Sequence, residues 1–227
     1  IEVRALVDDR LAAAGTPTAL DARRLDTVYR LSGGVLRVNT PLTEGDRYRV
    51  WSYAPDPAPA LRTFENAAAV ARSRPVYPSH AQEYLEIGSR AFPAFGARGR
   101  SDLTLTMLQD PSYRDFSPYR RMYAAARRVA GRAQTPYAAV LALESWFRQR
   151  GGFSYDEQPP STSGPPLVDF VTRTKAGYCQ HYAGAMTLML RMLGIPSRVA
   201  VGFTSGTYDD DAWVITDHDA HAWVEVW

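Results

Sequence analysis

Apolar and polar residues alternate over short stretches near the start of the chain. VYRLSG (28–33), VLRVNT (35–40) and RYRVWSY (47–53) each follow a period of two and are punctuated by Gly or Pro. That period sets one face of an extended segment against a core, so residues 1–53 are expected to be β-rich. APDPAPA (54–60) reads as a linker. LRTFENAAAVAR (61–72) is expected to form a short helix. Residues 73–116 are expected to be irregular, because Pro75, Pro78, Pro93 and Pro111 interrupt them, and GARGRSD (96–102) reads as mobile.

Helical patterning begins at Ser117-Pro118, which fits an N-cap and a first helical position. A helix over about 118–131 is expected from there. Thr135-Pro136 repeats the signature and opens a second helix to about Arg150, which Gly151-Gly152 stops. FSYDEQPPSTSGPP (153–166) is an extended proline-rich loop, and 167–172 are expected to form one helical turn. From Cys179 to Leu193 apolar residues occupy most of the helix circumference, so this helix is expected to be buried on nearly all sides. Gly194 and Pro196 end it. Three strands are expected next: SRVAVGF (197–203), AWVIT (212–216) and AHAWVEVW (220–227). The organisation read from this pattern is a β-rich region with linker (1–60), a connecting segment (61–116) and a core (117–227).

Composition narrows the chemistry. With 227 residues, 45% of them hydrophobic, the chain can bury a substantial core. Its formal charge of +2 gives no electrostatic case for nucleic acid. Of the 26 basic residues only Lys175 is lysine; Arg120, Arg121, Arg127 and Arg128 fall at helical spacing and read as a solvated face. A single cysteine excludes an internal disulfide and argues against a thiolate metal cluster. No apolar run is long enough to span a bilayer. The chain starts without Met and stops inside a strand-like pattern, so it is expected to be cut from a longer protein whose membrane segments, if any, lie outside it.

The lone cysteine sits where chemistry is easiest. Cys179 follows Lys175-Ala176-Gly177-Tyr178 at the point where a loop enters the buried helix. Free backbone N–H groups and the positive end of the helix dipole favour a thiolate there and can stabilise an oxyanion. Gly177 is expected to let substrate approach the backbone closely. In the last strand Ala220, Ala222, Val224 and Val226 alternate with His221, Trp223, Glu225 and Trp227. The strand is expected to aim His221 away from the Ala/Val face, towards a cysteine at the helix tip, and to hold it rigidly as a proton-transfer partner. Tyr155 is a candidate oxyanion donor. Tyr178, Trp223 and Trp213 are candidate groove residues. His80, His181 and His218 show no zinc-ligand spacing. Arg191 and Arg198 are expected to pair with carboxylates or the sheet edge.

These residues carry a resemblance. GYCQHYAGAMTLMLRMLGIPSRVAVGF (177–203) followed by DAHAWVEVW (219–227) resembles the core of the bacterial transglutaminase-like superfamily, most nearly the extracytoplasmic domain of its multi-pass membrane members. The resemblance implies an α+β, papain-like fold in which a buried nucleophile helix packs on an antiparallel sheet. It implies a Cys-His-Asp triad, with Cys179 as nucleophile and His221 as base; the acid is expected on a strand after Trp227, with Asp219 structural. The implied activity is acyl transfer through a thioester, as protein-glutamine transamidation or as hydrolysis or deamidation. Its partners would be a protein or peptide acyl donor and an amine acceptor, with no cofactor, no metal and no nucleic acid. A non-catalytic peptide- or cell-wall-binding module on the same fold is the alternative.

Overall fold

In the computed structural model the described residues are 1–31, 35–53 and 77–227. They divide into two units, Ile1–Arg62 and Thr63–Trp227. The linker expected at 54–60 and the helix expected at 61–72 lie outside the described residues.

The first unit is built from short antiparallel strands. β1 (Arg10–Leu11), β4 (Leu36–Val38) and β3 (Val28–Arg30) form one sheet in the order β1-β4-β3, and β2 (Thr16–Asp21) pairs with β5 (Arg49–Tyr53) in another. Val3, Leu11, Val38, Leu42 and Tyr48 make its core. The Tyr48 hydroxyl donates to the Ala12 carbonyl at 3.1 Å, and burial pushes its pKa up to about 12. β1 and β2 were not expected. Pro17 removes a donor from β2, and the strand accommodates it with a register shift between Pro17 and Ala19.

The second unit opens with a 3₁₀ turn at Ser79–Leu85 and the small hairpin β6 (Glu86–Ile87) and β7 (Arg90–Ala91). The irregular run expected over 73–116 is corrected here: α1 spans Arg100–Gln109 and begins inside the GARGRSD segment (96–102). Its sequence SDLTLTML alternates apolar with polar residues, which hid its helical period. Thr104 and Leu108 are buried, and Leu105 and Met107 pack on the core. Gly99, in the left-handed region at φ 68°, turns the chain into it.

α2 (Tyr119–Ala130) and α3 (Pro136–Ser145) fall where expected. Thr135 caps α3, accepting from Ala138 N–H at 3.1 Å, whereas α2 has no side-chain cap from Ser117-Pro118. α3 runs on as a π turn over Trp146–Arg150, and α4 (Pro166–Asp169) does the same over Phe170–Thr174.

α5 (Cys179–Met192) is the centre of this unit. Ala185, Met189, Leu190 and Met192 are buried against Met122, Leu143, Val168 and Phe170. On its other side lies an antiparallel pair, β10 (Ser197–Phe203) and β13 (Ala220–Val226). Between them β11 (Thr207–Asp209) and β12 (Ala212–Val214) form an exposed hairpin; β12 is shorter than the AWVIT strand expected there. The unit is thus α+β, with a buried helix on an antiparallel sheet. Among the described residues no helix is long and apolar enough to cross a membrane.

Candidate active site

The site begins at two loop ends tied together. β8 (Ser154–Tyr155) pairs in parallel with β9 (Ala176–Gly177), opposing Tyr155 to Gly177. Ser154 N–H donates to Lys175 carbonyl and Asp156 N–H to Gly177 carbonyl, each at 2.9 Å. Lys175 sits in the left-handed region at φ 51°, and its ammonium donates to the Gly151 carbonyl while lying 5.3 Å over the Phe153 ring. The only lysine of the chain therefore fastens the loop that ends α3 to the loop that leads into α5.

Cys179 is the first residue of α5 and is half-buried. No side chain caps this helix N-terminus. The Tyr155–Gly177 pairing brings the phenol next to Cys179, whose backbone N–H and thiol both act on its titration. Desolvation, with the neighbouring thiol, pushes the Tyr155 pKa upwards, so the phenol keeps its proton. A phenolic O–H and a helix-terminal N–H thus converge beside the sulfur, which is the donor pair an oxyanion requires.

His221 is placed by register. Ser197 hydroxyl donates to the Thr187 carbonyl at 3.2 Å and Arg191 Nε donates to the Ser197 carbonyl at 2.8 Å, which pins the Ser197/Val226 end of the sheet beside the C-terminal half of α5. Gly202, the cross-strand partner of His221, is five residues up β10, about 17 Å away at strand rise. Cys179 is twelve residues back along α5 from Arg191, about 18 Å at helical rise. The thiol and the imidazole therefore stand at the same end of the helix–sheet layer. The alternation expected for β13 is present: Ala222 is buried and Val224 packs on the core, while His221 and Trp223 are exposed. Cross-strand partners share a face, so the set containing Ser197 and Ala222 faces α5 and His221 leaves from the opposite face. No hydrogen bond joins the thiol to the ring.

The other candidates divide. Trp223, 39% exposed, shares the His221 face, and a Cβ at Gly202 would come within 3.1 Å of its ring. Tyr178 packs edge-on against His181, with ring centroids 4.6 Å apart. Gly177 is buried, and a Cβ there would fall 2.8 Å from Cγ of His181, so its missing side chain makes room for an imidazole. His181 is the residue that sequence reasoning passed over; the only sign of it was a glycine four positions earlier, across the start of the helix. Trp213 is 60% exposed on the β11–β12 hairpin, beside Tyr208.

Both carboxylate oxygens of Asp219 are engaged locally. Thr216 N–H and hydroxyl donate to one at 2.8 and 3.0 Å, and Thr204 hydroxyl to the other at 3.2 Å. The Thr216 backbone bond, first among the causes, holds this carboxyl below the ordinary carboxylate range. Asp219 thus joins the end of β10 to the start of β13 and fixes the height of His221. Arg198 pairs with Glu225 at 2.7 Å, while Arg191 binds backbone carbonyls of Ser197 and Glu86. His80 packs against Trp227. Among the described residues no cluster of His, Cys, Asp or Glu could hold a metal ion.

Residues 123–227 match the family model described as "Transglutaminase-like superfamily". A protein-glutamine gamma-glutamyltransferase of Pseudomonas aeruginosa is 43% identical over 94 residues, which is 40% of this chain and 14% of that protein. YebA of Bacillus subtilis, an uncharacterized protein, is 41% identical over 97 residues, covering 39% of this chain and 13% of its own length. This chain therefore spans about one-seventh of those relatives. The crystal structure of the periplasmic domain of TgpA from Pseudomonas aeruginosa is similar over 99% of this chain and 62% of that one, with TM-score 0.63 and 26% identity. The Cys179 helix, its sheet and the loops that frame them lie inside the segment that matches the transglutaminase-like model, and their α+β arrangement is the papain-like fold of that group.

Proposed function

We propose that this core performs acyl transfer through a thioester, with Cys179 as nucleophile and His221 as base. The observation that carries the reading is the pairing of Tyr155 with Gly177, which sets its phenol beside the residue that opens the buried helix. The Cys179 thiolate adds to an amide carbonyl, and the carbonyl π pair moves to oxygen, where the Cys179 N–H and Tyr155 O–H receive it. The tetrahedral centre collapses, the C–N bond breaks, and the His221 imidazolium gives its proton to the departing amine. An amine or water then adds to the thioester and loses its proton to His221, and the C–S bond breaks to restore the thiolate beside the imidazolium. An amine acceptor gives transamidation; water gives hydrolysis or deamidation.

The reading requires the His221 ring to meet the sulfur past the open tip of α5, since its strand faces the other way. Catalytic hydrogen bonds in substrate-free enzymes are commonly long and close on the bound substrate. Asp217 accepts from His218 N–H and Asp219 holds the turn, so neither is assigned as the acid that orients His221. Protein glutamine is the favoured acyl donor because the similar Pseudomonas aeruginosa protein is named for that reaction. An extracytoplasmic address, with membrane attachment through segments outside this chain, is supported by the likeness to a periplasmic domain.

The test is incorporation of a fluorescent amine into casein by a protein extending past residue 227. Cys179→Ala and His221→Ala should each abolish it. Wild-type protein that releases neither ammonia nor labelled product from glutamine donors, yet binds peptides, would favour a non-catalytic binding module on the same fold.

A further inference from the structure

The imidazole of His181 has no place in that chemistry, yet it is packed into the base of the site. His181 lies in the first turn of α5, and its backbone N–H donates to the Tyr178 carbonyl at 2.8 Å. Its ring turns back beneath the incoming strand. A Cβ at Gly177 would stand 2.8, 2.9 and 3.1 Å from its Cγ, Cβ and Nδ1. Tyr178 meets it edge-on with centroids 4.6 Å apart, and Phe170, from the core, lies 5.6 Å away. Nδ1 is shielded from solvent and has no hydrogen-bond partner. A polar ring held this way contributes by its volume and position, because its ring nitrogen gains nothing from the contact and loses water.

Gly177 is the cross-strand partner of Tyr155, and its carbonyl receives the Asp156 N–H at 2.9 Å. The height of Gly177 above the core therefore sets the height of Tyr155. We propose that His181 is a positioning residue, a wedge between Phe170 and Gly177 that fixes the Tyr155 hydroxyl beside the Cys179 N–H. The inference rests on the acyl-transfer reading and assigns the support of its oxyanion side. Gly177 is in a strand with no positive φ, and the three atoms nearest an added Cβ all belong to the His181 side chain.

Two probes of the single thiol separate this from general loosening. Acylation by p-nitrophenyl acetate develops an oxyanion and needs the Tyr155 side; alkylation by iodoacetamide is a displacement at carbon and does not. His181→Ala should lower acylation ~10-fold, the low end of the ~10-fold to ~100-fold loss expected when the exposed Tyr155 donor is removed outright, while alkylation changes less than ~3-fold. Gly177→Ala should give the same selective loss by pushing the strand off the ring. The double variant, in which the new Cβ occupies the vacated space, should recover acylation well above the product of the two single effects. Parallel losses in both probes, or multiplicative effects in the double variant, overturn the wedge. A wild-type thiol inert to the ester, with alkylation intact, overturns the acyl-transfer reading itself and the wedge with it.

Discussion

Replacing Tyr155 by Phe removes one oxygen from the site and little else. The ring is 59% exposed and stacks on Tyr182 with centroids 6.2 Å apart, a contact phenylalanine keeps. Folding stability should therefore change by no more than about 0.5 kcal/mol, as for other surface substitutions. The kinetic effect should be larger. The hydroxyl is one of two donors beside the sulfur, and removal of one such donor in a dry site costs about 2.7–4 kcal/mol. Exposure lets water replace part of that interaction, so the expected loss is about 1.4–2.7 kcal/mol, or ~10-fold to ~100-fold in acylation rate. The upward-shifted phenol pKa keeps the donor protonated throughout neutral pH, so the wild-type to variant ratio should be flat between pH 6 and 9. The assay is burst-phase release of p-nitrophenol from p-nitrophenyl acetate, with Cys179→Ala as the blank. A variant that acylates at the wild-type rate would refute the assignment of Tyr155 to the oxyanion.

Three further outcomes are expected. Leu190→Ala should lower stability by about 2–5 kcal/mol in urea denaturation, because Leu190 is wholly buried at the centre of the core; a change below 1 kcal/mol would contradict that packing. Burial lowers the His181 pKa beneath its ordinary 6.5, so between those two values the unfolded chain binds more protons than the native one. Stability should fall as pH drops through 6.5 and level off below the native pKa, and His181→Gln should flatten that limb in denaturant melts at pH 5 to 7.5. Gly202→Val should displace the Trp223 ring, which lies 3.1 Å from the position of the new Cβ, and shift tryptophan emission while the far-ultraviolet circular dichroism is retained; unchanged emission would count against the ring position.

Much of the core was legible because its signals are local. The apolar circumference of 179–193 announced a buried helix, and Met189, Leu190 and Met192 are fully enclosed. Thr135-Pro136 marked a helix start that the Thr135 cap confirms. The strand pattern of 220–226 separated His221 from Ala222 correctly. What escaped was set by tertiary contact. α1 was missed because DLTLTML alternates, and only packing against the other helices makes Thr104 and Leu108 its inner face. β2 was missed because Pro17 contradicts a strand until the bulge absorbs it. Gly177 invited a reading as a substrate approach; the imidazole that fills its space comes from a residue whose own position gave no hint of turning back. Lys175 and Asp219 likewise act on backbone and side-chain groups across loop ends, which no period in the sequence encodes.

The account turns on a sulfur and an imidazole meeting at the tip of α5, and thiol alkylation reads that meeting directly. Iodoacetamide should be applied at pH 6.5 to wild type, His221→Ala and free cysteine, with labelling followed by mass spectrometry on the only cysteine of the chain. About 1% of a free thiol is ionised there, so a thiolate held by His221 should react at least ~10-fold faster than free cysteine, and His221→Ala should lose that advantage. Equal rates for wild type and His221→Ala across pH 5.5 to 8 would contradict the central claim.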